Sequence, residues 1–138
     1  MKKENWTDNT EAWEDANFLT QEEYDAEKLI TKCETLCSNI THATHRAFPH
    51  TAKEDYATGH DFSIGKKYIK IVRTEQGLAR SVWGFINIAN ENFKIGDVLM
   101  ASGWSKPALN KARGNLFEGY QIAVNSSTHR IHGPDYLK

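Results

Sequence analysis

Residues 19–49 read LTQEEYDAEKLITKCETLCSNITHATHRAFP, and this run decides the fold. Turned at 100° per residue, Ala26, Leu29, Ile30, Cys33, Leu36, Cys37, Ile40, Thr44, Ala47 and Phe48 share a stripe about 120° wide, while Lys32, Asn39, His42 and Arg46 point elsewhere. Thr20 is placed to cap, Glu23 to reciprocate three residues on, and Leu19 to pack on Tyr24 as a staple. Pro49 disfavours helical geometry at Phe48 and ends the run. The spacing predicts one amphipathic helix over 20–47, about 42 Å long at 1.5 Å per residue. Such a helix exceeds the globular average, so it lies across a whole sheet or reaches into another subunit.

Beyond the helix, residues 49–65 are polar and punctuated by Pro49, Gly59 and Gly65, which reads as a connector. The period then changes from 3.6 to two. Lys66-Lys67-Tyr68-Ile69-Lys70-Ile71-Val72-Arg73 alternates, Glu75-Gln76-Gly77 supplies a turn, and Arg80-Ser81-Val82-Trp83-Gly84-Phe85-Ile86-Asn87-Ile88 forms the return strand of a hairpin. That strand carries Val82, Ile86 and Ile88 on one face and Trp83 and Phe85 on the other, as a central strand covered on both sides does. A third strand is expected at 98–101 and a fourth at 120–124. Between them Ser105 caps a short helix over 106–113, with Gly114 at its C′ position.

This order belongs to the α+β class: one long N-terminal amphipathic helix packed on an antiparallel meander sheet of three to four strands, with a short helix in the 105–114 loop. An acidic arm over 1–17 precedes a single α+β domain over 18–138. One helix covers one sheet face. Trp83 and Phe85 therefore await cover from Trp6 and Trp13 or from a second subunit, and the expected state is a homo-oligomer, a dimer.

The chain has 138 residues and a net charge of −1, which suits one core. Neutrality conceals a division. Residues 1–27 hold nine acids against Lys2 and Lys3, a net −7, and residues 28–138 hold nine acids against fifteen bases, a net +6. An acidic face at a helix start is one account of that division; a basic surface that meets nucleic acid or an acidic protein partner is the other. No window approaches the roughly 18 apolar residues of a membrane helix, and no apolar stretch follows the charges of the N-terminus. No membrane partner and a cytoplasmic location are expected.

The chemistry-bearing residues are few. Cys33, Cys37, His42, His45 and His50 invite a zinc reading, but both thiols lie at the centre of the apolar stripe and His42 faces about 140° away from Cys37. Only His45 lies near their edge, so buried reduced thiols and no metal are expected. His60 beside Asp61, and His129-Arg130-Ile131-His132, could form an acid/base set, yet no nucleophile elbow or phosphate loop accompanies them. No catalytic residue and no cofactor is assigned. The 101–117 stretch is the most distinctive: Trp104 offers a stacking face, and Lys106, Lys111 and Arg113 offer cations with no acid between them. With Lys70 and Asn115 these form the candidate binding set, and Lys66, Lys67 and Arg73 could extend it.

The run Arg80-Ser81-Val82-Trp83-Gly84-Phe85-Ile86, then Phe93-Lys94-Ile95-Gly96-Asp97-Val98-Leu99, Trp104-Ser105-Lys106-Pro107-Ala108 and Ala112-Arg113-Gly114-Asn115, resembles a family of small tailed-bacteriophage proteins. The resemblance covers about residues 66–119. It implies a viral or virus-like origin, with the host cytoplasm as the location, and carries over no catalytic residue. The expected function is that of a non-catalytic, oligomeric accessory interaction module. A module that binds single-stranded nucleic acid or phosphate through the basic sheet face and the 104–115 loop is the alternative.

Overall fold

The computed structural model describes residues 21–122 and 132–134. Helix α1 spans Gln21–Ala47, and Leu29, Cys33, Leu36, Cys37, Ile40 and Thr44 form its buried line. These positions recur at three- and four-residue steps, as the amphipathic reading requires. Ala26 and Ala47, at the two ends of the predicted stripe, are exposed. Through Ile30 the chain forms one unit and from Thr31 onward another, and the sheet lies in the second. The cap at Thr20 and the Leu19 staple fall outside the described residues, as do Trp6 and Trp13. At the other end Phe48 takes φ −133° and ψ 80°, outside the helical region that the following Pro49 disfavours, and a 3-10 turn follows at Pro49–Ala52.

The sheet has four strands, β1 (Thr58–Ile64), β2 (Tyr68–Glu75), β3 (Leu78–Asn87) and β4 (Val98–Leu99), paired antiparallel in chain order. The architecture is α+β, with the long helix packed on this meander. Gln76 and Gly77 close the β2–β3 hairpin, both with positive φ (53° and 81°), the geometry a two-residue turn needs between twisted strands. Ile69 opposes Ile86, Ile71 opposes Gly84, and Val98 opposes Ile86 from the other side. All three isoleucines and Val98 are fully buried, so the centre of the core sits on β2 and β3.

Four expectations are corrected. Residues 58–64 are a strand, not part of a connector. Gly59 and the weak alternation concealed β1, which exists because it pairs with β2 over seven positions. Residues 105–114 form no helix. Ala108 and Arg113 donate backbone bonds to Met100 and Val98, and Val98 donates to Gly114, so the run lies extended beside β4. An isolated helix of two turns is marginal in water, and pairing with an open strand edge outcompetes it. The only helical turn there comes later, a 3-10 turn at Leu116–Glu118. Residues 120–122 are not in a strand, and 123–124 lie outside the described residues.

The fourth correction concerns the expected oligomer face. Trp83 is 2% exposed and Phe85 4% exposed in a single chain. Phe85 stands between Lys70 and Leu99 in register and meets the Tyr68 ring edge-on at 6.2 Å. Trp83 is the residue β3 inserts where the register shifts between Ile71 and Val72, and it meets Tyr120 edge-on at 6.3 Å. Residues of the same chain therefore supply cover that the sequence reading assigned to a second subunit. The two-sided burial of β3 itself holds from Trp83 to Asn87.

Ile40 has no exposed surface and belongs to the stretch of α1 that faces the sheet. Replacing it with alanine should cost about 2–5 kcal/mol, read as a lowered urea midpoint with an unchanged slope.

Candidate functional site

Lys70 lies in mid-β2, opposite Ser63 on one side and Phe85 on the other. Its ammonium nitrogen stands 4.3 Å from the centroid of the Trp104 ring. Trp104 is brought there by a tight turn. Ser102 and Gly103 both donate backbone N–H groups to the Lys106 carbonyl, at 2.8 and 3.2 Å, and Ala101 bridges to Pro107. The ring remains 52% exposed. A lysine over an exposed indole contributes about 0.5–1 kcal/mol, enough to bias both side chains toward this arrangement. Lys106 projects from the same turn and is exposed, as are Lys111 and, at the tip of the β1–β2 hairpin, Lys66 and Lys67.

Of the six candidate binding residues, the structure joins Lys70 to Trp104 and sets Lys106 in the Trp104 turn. Arg113 is drawn inward: its guanidinium donates to the Lys111 carbonyl, to Asn110 Oδ1 and to Met100 Sδ. Asn115 is corrected from ligand contact to scaffold. It is buried, donates from Nδ2 to the Ile95 carbonyl and to Asp97 Oδ1, both at 2.9 Å, and accepts from the Phe117 N–H at 2.7 Å. Asp97 Oδ2 in turn accepts from the Lys94 N–H, so the pair locks the loops flanking β4. Arg73 also leaves the basic surface, with one guanidinium nitrogen 3.2 Å from His132 Nδ1 and another 3.8 Å from Glu75.

The histidines are closer together than their spacing in the chain suggests. His60 Nδ1 lies 3.0 Å from Thr41 Oγ1 on the helix, and His45 Nε2 donates to the Thr58 carbonyl at 2.7 Å. His132 stacks on Phe48, ring centroids 5.8 Å apart, beside Arg73. His129 lies outside the described residues. Burial, together with the positive charge of Arg73 and the neighbouring His45 and His132, pushes His60 down to about 4. A base that weak is poorly matched to proton abstraction near neutrality. The position of His45 at the edge of the apolar stripe was a signal for this grouping, and His132 comes from the C-terminal pair that the sequence set beside His60 as a possible acid/base partner.

Cys33 and Cys37 are free, buried thiols pushed up to about 12, chiefly by burial. Among the described residues no group of three or more His, Cys, Asp or Glu side chains could hold a metal ion, and no helix is long and apolar enough to cross a membrane.

A family model of unknown function, DUF7717, matches residues 15–128, taking in the sheet, the Trp104 turn and the Asn115 lock. The chain belongs to that family. No curated protein and no solved structure matches it.

The depressed His60 gives stability a definite pH dependence. The folded protein binds fewer protons than the unfolded chain between pH 6.5 and 4, so this contribution is intact above pH 6.5 and is lost as pH falls toward 4. Urea midpoints should fall by the equivalent of about 2 kcal/mol over that window, and His60→Gln should flatten this part of the profile. An unchanged profile in the variant would assign the acid sensitivity to other groups.

Proposed function

We propose that the chain is a non-catalytic interaction module that takes up single-stranded nucleic acid on the surface formed by Lys70 and the Trp104 turn. The observation that carries this reading is the Lys70 ammonium 4.3 Å from the centre of an indole that is still half exposed. An exposed aromatic ring stacks on an unpaired base regardless of its identity, and cations within a few residues neutralise the adjoining phosphates. Lys70 and Lys106 suit that second role, and Lys66, Lys67 and Lys111 are exposed to extend it. A free phosphate would use the cations and leave the ring without purpose, which favours the polymer.

Self-association, the other partner expected from the sequence, loses its proposed anchors with the burial of Trp83 and Phe85. Catalysis by His60 and Asp61 is disfavoured by the weak basicity of the imidazole. A bacteriophage setting within a host cytoplasm, implied by the resemblance over 66–119, accords with a small binding module of this kind.

Fluorescence anisotropy of a labelled oligothymidylate tests the reading at two or more salt concentrations. Trp104→Ala should weaken binding by about 1–3 kcal/mol. Lys70→Gln should reduce the slope of log affinity against log salt by about 0.7, the share of one phosphate contact on a single strand. Absence of binding at low salt, or full affinity in Trp104→Ala, would sink the proposal.

A further inference from the structure

Among the described residues the open side of the sheet is β1, which pairs there with β2 alone. A hydrogen bond from the Gly65 N–H to the Tyr68 carbonyl closes their hairpin. In an antiparallel ladder hydrogen-bonded and non-hydrogen-bonded pairs alternate. Counting from that closure, Ser63, Asp61 and Gly59 exchange bonds with Lys70, Val72 and Thr74, and the N–H and C=O groups of Thr58, His60, Phe62 and Ile64 point away from the sheet. Two side-chain contacts agree with the count: the Thr58 carbonyl accepts from His45 Nε2, and the Phe62 N–H donates to Asp61 Oδ1 at 2.8 Å.

Between those two capped groups lies the outward edge of His60. It borders a groove of about 640 Å³ between β1 and α1. Glu34, Ser38 and Thr41 line the helix side, Asp61 and Phe62 the strand side, and the lining includes no lysine or arginine. His42 also lines the groove, His60 is held neutral by burial, and the nearest guanidinium, Arg73 on β2, lies against Glu75, which leaves Asp61 and Glu34 as the charges that face an incoming cation in the groove.

We propose that the β1 edge and this groove receive an extended, lysine- or arginine-bearing segment of another protein, which joins the sheet as an added strand and sets its cation against Asp61 and Glu34. Main-chain bonds supply the attachment and the charge pair supplies selectivity. Asp61 couples the two. Its carboxylate now occupies the outward Phe62 N–H; an incoming carbonyl takes over that N–H and releases the carboxylate to the cation. A second copy of this chain fits less well, because antiparallel self-pairing centred between His60 and Phe62 sets Asp61 against Asp61. The site is separate from the Trp104 surface, and its test is independent of nucleic-acid binding.

The probes are an end-capped octapeptide of alternating lysine and threonine, its glutamate–threonine counterpart, and the lysine peptide N-methylated at every backbone nitrogen. The lysine peptide should bind the intact protein and slow hydrogen exchange at the His60 and Phe62 amides. Asp61→Asn and Glu34→Gln should each weaken it by roughly fivefold, the upper range for an exposed charge pair, and the other two peptides should fail to bind. Three results would overturn the proposal. One is equal binding of the glutamate or N-methylated peptide, and another is undiminished affinity in the double variant. The third is protection of the His60 amide without peptide at concentrations where the protein sediments as a dimer, which would assign the edge to a second copy.

Discussion

The burial of β3 on both faces is the constraint from which the rest of the structure follows. Five successive residues, from Trp83 to Asn87, are buried. Consecutive strand residues face opposite ways, so no single layer can cover them. The helix meets one side, and the other requirements fall to the chain that follows β3. This explains why the 96–116 stretch is extended and tightly bonded yet almost devoid of regular elements. Packing at Gly84 leaves no room for a side chain: a Cβ there would lie 2.9 Å from the Leu99 carbonyl oxygen and 2.9 Å from Pro134 Cγ. The loop that carries Trp104 is thus held by the demand for cover, and the exposed indole is a by-product of a turn the core requires.

What could be read in the sequence follows how local each determinant is. The helix announced itself because its stripe, and the Pro49 that ends it, are properties of the segment alone. The β2–β3 hairpin was legible for the same reason, through Gln76-Gly77 and the alternation on either side. β1 was not, because an edge strand with a glycine and a mixed pattern gains its stability from the neighbour it pairs with. The misread helix at 106–113 shows the converse. Ser105, Pro107 and Gly114 suit helix ends, but they suit a turn and an extended run equally, and only the free edge of β4 decided between them.

The candidate site divides in the same manner. Aromatic and basic character at Trp104, Lys106 and Lys70 is a matter of composition, and the sequence displays it. Their convergence depends on a turn bringing residue 104 back to residue 70, which no local pattern encodes. Asn115 looked like a ligand contact because a polar residue among cations invites that reading. Its three hydrogen bonds to Ile95, Asp97 and Phe117 tie it to its own fold instead. The grouping of His45, His132 and Arg73 about His60 likewise arises from topology.

The two cysteines give the protein an internal reporter. With thiols near 12, roughly one in 10⁵ is thiolate at pH 7, and the sulfurs are shut away besides. Alkylating reagents act on the thiolate, so the folded molecule is nearly inert to them. Modification at Cys33 and Cys37 would therefore count openings of the helix from the sheet, a clock that needs no added label and runs at the pace of local unfolding.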